Sequence, residues 1–169
     1  MNKKILFLLI WNGMAHSCSY VQAVKYNDDE IACKKRLAML IVDKINNVMS
    51  VFEEDVDRAI FAASKANKVY RRAGVEPAYG NSTLCTNLID EQKSIYKVFE
   101  NSQQIQRQAC EYSQMLQYVT SGEQIVLAIE YFYHVLHTIE ESREKAFCRV
   151  EAIEKCAQKV AKEIGVFEA

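Results

Sequence analysis

The chain has 169 residues, half of them hydrophobic and a quarter charged, with a formal net charge of -1. That length suits one domain with a full core and is short for two, and the balanced charge leaves nucleic acid without an electrostatic footprint. Five glycines and one proline are too little punctuation for a fold of many strands and turns, so long helices are expected.

At the amino terminus Lys3 and Lys4 precede an unbroken apolar run, Ile5 to Trp11, the pattern of an export signal. The run is too short for a bilayer, which takes about 20 apolar residues, and no later segment is uniformly apolar. Cleavage after Ala15-His16-Ser17 retains Cys18, and cleavage as late as Ala23 removes it. The chain holds six cysteines, and an even set favours the earlier cut, because secreted chains pair their cysteines. The expected organisation is a signal over residues 1–17, or up to 23, followed by one secreted helical-bundle domain over 18–169 with no membrane span.

The first helix is expected from about Asp28 to Ala73. Ile41, Ile45, Val48, Phe52, Val56, Ala59, Ala63, Ala66 and Tyr70 recur at helical spacing. Asp28 and Asp29 suit the positive end of its dipole, and Arg71 and Arg72 the negative end. Gly74 to Gly80 is dense in turn residues and leads into Asn81-Ser82-Thr83, a glycan acceptor triplet on an exposed loop. A second helix is expected from about Ser82 to Thr120, with Cys85, Leu88, Ile95, Phe99, Ile105, Ala109, Tyr112, Leu116 and Val119 on its apolar seam.

Ser121-Gly122 then makes a tight turn, and the third helix must double back on the second. From Gly122 to Ile164 apolar residues return every four and then every three positions: Ile125, Ile129, Phe132, Leu136, Ile139, Ala146, Val150, Ile153, Ala157, Val160 and Ile164. This is the pattern of a helix packed along its whole length against others, and Arg143 interrupts it. The fold class is therefore all-α: an antiparallel up-down-up bundle of three long, coiled-coil-like helices, disulfide-bonded, about 60 Å long.

Reflecting one helix onto the next about each turn shows which residues share a level. Cys85 and Cys156 lie almost equally far from Ser121 and are expected to pair. Cys33 with Cys110 is the second expected pair, which requires the amino-terminal end to fold back. Cys148 faces outward and is available to tether a second chain as a dimer. Arg143 falls level with Glu100 and Asp55. An inward cation needs a carboxylate, so an Arg143 to Asp55 pair is expected to set the register.

No catalytic arrangement emerges. His134 and His137, near Glu130 and Glu141, have a spacing that suits one helical face, but that face points outward and no second helix supplies histidine. Cys148 and His134 are several turns apart, too far for a thiolate and its base. The cysteine spacings match no zinc or haem pattern, and no glycine loop cradles phosphate. The chain reads as a non-enzyme with no cofactor and no metal.

Near Ser121 the apolar character spreads beyond the seams, through Leu37, Met39, Leu40, Ile41 and Val42, Tyr118, and Val126, Leu127, Tyr131, Tyr133 and Val135. A helix that is hydrophobic most of the way round must be covered. The amino-terminal segment up to about Tyr26 is one cover. The functional reading is an extracellular protein recognised through Leu40, Tyr118, Leu127, Tyr131 and Tyr133, since tyrosines bring buried area with a polar tip. The alternative is a pocket at the same end for an apolar small molecule or lipid.

Overall fold

A computed structural model of the protein describes residues 26–72 and 83–163, without the side chains of Tyr70, Arg71, Glu163 and residues 83–87. The export signal, Cys18, the turn from Gly74 to Gly80, Asn81 and Ile164 lie outside the described residues. Three helices run up, down and up: α1 (Asp28–Arg72), α2 (Thr83–Met115) and α3 (Gly122–Glu163). Among the described residues there is no strand, and no helix is long and apolar enough to cross a membrane.

The start of α1 is set by Asn27. Its Oδ1 accepts from the Glu30 N–H at 2.8 Å while the Glu30 carboxylate accepts from the Asn27 N–H at 3.0 Å, a reciprocal capping box. Helix α2 stops five residues earlier than the periodicity suggests. A single 3-10 turn, Leu116–Tyr118, follows Met115, and Val119 then turns extended, its N–H bonded to the Leu116 carbonyl. Leu116 stays buried in this tighter turn, so the apolar seam continues past the point where the α-helix has ended. Ser121 caps α3: its Oγ accepts from the Gln124 N–H at 3.4 Å and its carbonyl from the Ile125 N–H at 3.2 Å, satisfying donors that a helix start leaves open.

The core follows the expected seams. Ile45, Phe52, Ile95, Ile125, Phe132, Ile139, Val150 and Ile153 are fully buried, and the rings of Phe52 and Phe99 meet edge to face at 5.3 Å, a favoured aromatic geometry. In the carboxy-terminal half of α1 three successive buried positions between Val56 and Val69 are Ala59, Ala63 and Ala66, small side chains that let the helices approach. Ser102 and Ser113 are buried in α2 and satisfy themselves locally, each hydroxyl donating to a carbonyl one turn back, of Val98 and Cys110.

Helices α1 and α3 are parallel and share the largest interface. Lys44 meets Glu140 at 3.3 Å and Arg58 meets Glu154 at 2.9 Å. The residue-number offset is the same in both pairs, and it carries Leu37 onto Tyr133 and Val51 onto Phe147. The charged pairs of this flank thus recur every fourteenth residue, with apolar residues level with each other midway between them. On the opposite flank of α3, Arg149 reaches Ser94 and Glu91 of α2.

Candidate functional site

Among the described residues Asp55 is the one carboxylate buried in the core, 4% exposed. Arg143 Nε donates to its Oδ2 at 2.9 Å, so the structure brings these two residues together across α1 and α3. Glu100, level with them on α2, is exposed and is not part of the cluster. Its neighbour Phe99 takes the inward position instead. The residue that periodicity missed is Arg58. It donates to Asp55 Oδ1 at 3.3 Å and grips Glu154 with two bonds of 2.9 and 3.1 Å. Hydrogen bonding to Glu154 and its charge hold the Arg58 guanidinium still more firmly protonated. Each oxygen of Asp55 therefore has its own arginine, and a buried carboxylate is stable only when so partnered. All of these groups are engaged with one another, which makes the cluster a structural clamp.

The bundle end near Ser121 separates into two layers. Tyr131 and Leu127 are partly buried. The Tyr131 ring lies edge to face with Tyr112 at 5.5 Å and tilted against Phe132 at 5.6 Å. Burial pushes both phenols up, and for Tyr112 the neighbouring Tyr131 adds to it. Tyr131 therefore belongs to the rim of the core, because its helical position turns it onto Tyr112 of the antiparallel neighbour. The outer layer is Tyr118 at 80% exposed, Leu40 at 65%, Met115 and Tyr133 at about half, and Met39 just below that. Leu37 and Tyr133 stand at one level of α1 and α3, and both are exposed.

Tyr26 anchors this end. Its ring lies against Gly122, and the Lys34 ammonium sits 4.4 Å from the ring centroid, within cation-π range. Lys35 Nζ donates to the Gln117 carbonyl at 3.2 Å, tying α1 to the turn before α3. Gly122 is the first residue of α3, where the expected third helix begins, and its missing side chain makes room for Tyr26.

Among the described residues no cysteine pair stands at bonding distance; the expected Cys33–Cys110 pair is not formed, and the expected Cys85–Cys156 pair involves a side chain outside the described residues. The Cys110 thiol lies 3.5 Å from Asn46 Oδ1, which also accepts from Gln106 Nε2 at 2.9 Å. Cys33 is about 20 Å farther along α1, exposed, and nothing folds it back. Cys156 is half-buried, packed against the core. Cys148 is exposed. Burial raises the Cys110 thiol, opposed by the contact with Asn46. A maleimide titration at neutral pH is therefore expected to modify Cys33 and Cys148 first and Cys110 at least about tenfold more slowly. Equal rates at Cys33 and Cys110, followed by peptide mass mapping, would contradict this order.

His134 and His137 are exposed on α3. His137 Nε2 lies 3.3 Å from Glu141 Oε1 of the next turn, and among the described residues no group of histidine, cysteine and carboxylate side chains is arranged to hold a metal. Comparison with protein-family models, with curated proteins and with solved structures returns no match.

Proposed function

We propose that the protein is a secreted, non-enzymatic interaction module that recognises another protein through the bundle end near Ser121. The observation that carries this reading is the pairing of exposure with anchorage. Tyr118 and Leu40 are the most exposed large apolar residues of that end, while the turn beneath them is pinned by Lys35 and Tyr26. Exposed aromatic and aliphatic side chains on a rigid support are the usual energetic centre of a protein contact. Leu127 and Tyr131 support the surface from beneath. Export rests on the residues before Cys18, and a sugar on Asn81 fits the same compartment.

Leu40→Ser with Tyr118→Ser tests the reading, since both side chains are exposed and the double variant keeps the core. In pull-downs from the fluid into which the protein is exported, a partner held by the wild type is expected to weaken by at least about a hundredfold with the variant, with the melting temperature unchanged. Retention of every partner at wild-type strength would sink the proposal. The denatured mass of the exported protein fixes the cleavage site and the occupancy of Asn81.

A further inference from the structure

Helix α1 carries a second stripe that the bundle does not cover. From Leu37 to Phe61 the positions that alternate three and four apart along its outer flank are all exposed. Leu37, Leu40, Val51 and Phe61 lie on this stripe, and Phe61, at 73%, is the most exposed large apolar side chain described in α1. The spacing is that of a helix surface packed along another helix, here over roughly 36 Å. Helix α3 borders the stripe on one side, through Lys44 with Glu140 and Arg58 with Glu154. Among the described residues nothing lies over it.

Charge on the stripe selects the occupant. Lys44, Glu54 and Arg58 stand between its apolar residues. A second copy of the chain packed parallel would set each of these charges against its own kind, an unfavourable arrangement. Packed antiparallel, one register is self-complementary. It sets Leu37 against Phe61 of the second copy, Lys44 against its Glu54 and Val51 against its Asn47, and it lays the stem of Arg58 along its Leu40. Twofold symmetry makes every contact twice. A slide of one heptad in either direction brings Phe61 onto Glu30 or onto Lys44, so neither neighbouring register seats the ring. The fixed parts of the bundle suit this pairing. Glu54 bonds to no cation among the described residues, and Lys44 is already positioned by Glu140 at 3.3 Å. Tyr133 of α3 is exposed at the level of Leu37 and widens the seat for the incoming Phe61.

We propose that α1 pairs antiparallel with α1 of a second copy of this chain, forming a reversible twofold dimer. Leu40 borders both this seam and the surface near Ser121. Phe61 belongs to the dimer alone and Tyr118 to the other surface, so either reading can fail without the other.

The test is sedimentation equilibrium of the full exported chain in reducing buffer, which keeps Cys148 from linking copies. A monomer–dimer equilibrium with a Kd of about 10–100 µM is expected for so narrow a seam. Phe61→Asp is expected to weaken it at least about tenfold, whereas Tyr118→Ser leaves it unchanged. Glu54→Lys and Lys44→Glu each set like charges face to face and lose at least about fivefold, while an equimolar mixture of the two variants regains the wild-type Kd, because each supplies the charge that the other lacks. The exposed substitutions leave the melting temperature of the monomer within a few degrees of the wild type. A monomer throughout the concentration range, a dimer indifferent to Phe61→Asp, or a mixture that associates no better than either charge variant alone overturns the proposal.

Discussion

Replacing Asp55 by alanine is expected to lower stability by about 2–3 kcal/mol, read as a lower urea midpoint at unchanged slope. The carboxylate is buried and each of its oxygens accepts from a different arginine. Arg58 keeps its two bonds to Glu154 when Asp55 is lost. Arg143 has no such reserve; its side chain is two-thirds buried, and it would face the core unpaired. Most of the loss should therefore trace to Arg143. Combining Asp55→Leu with Arg143→Leu is expected to recover most of it, because a buried ion pair exchanged for apolar packing is often neutral or better. A double variant no more stable than Asp55→Ala would show that the pair contributes by more than avoiding an orphaned charge.

Gly122→Ala is expected to act with opposite sign in two backgrounds. In the wild type a β-carbon at Gly122 would overlap the Tyr26 ring, so the ring must leave its seat at a cost of about 1–3 kcal/mol. In a Tyr26→Ala background the space is open. Alanine at the first position of α3 should then stabilise by about 0.4–1 kcal/mol, through the smaller entropy of the unfolded chain. A double-mutant cycle in denaturant measures the coupling. The same sign in both backgrounds would mean that Tyr26 does not occupy the notch in solution.

Much of the architecture is legible because period and punctuation report it directly. The scarcity of glycine and proline, the 4-3 spacing and Ser121 as a hinge give three helices, and the bounds of α1 and α3 fall within a residue of those expected. Reflection about the turns also brings Arg143 level with Asp55. What periodicity does not carry is the bearing of a side chain around its helix. Tyr131 turns into the core rim where Tyr133, two residues on, turns outward. Arg58 escaped notice because it is exposed and sits where an outer face would have a solvated charge. Its role depends on Glu154 arriving from another helix. Gly122 was legible as a glycine but not as a seat, since the ring that fills the space lies almost a hundred residues earlier in the chain.

The ladder between α1 and α3 bears on how the chain finds its register. These helices are parallel and far apart in sequence, so their pairing must close a long loop, whereas α2 and α3 meet across a few residues. The pairing of α1 with α3 is thus the least local of the three. Two parallel helices with heptad spacing fit almost as well when one slides by seven residues. Here a slide towards the carboxy terminus of α3 would set Leu37 against Glu140 and Lys44 against Phe147, turning each favourable rung into a mismatch. Alternating the rungs proofreads the docking of α1, rejecting the neighbouring registers that a uniformly apolar or uniformly charged flank would tolerate.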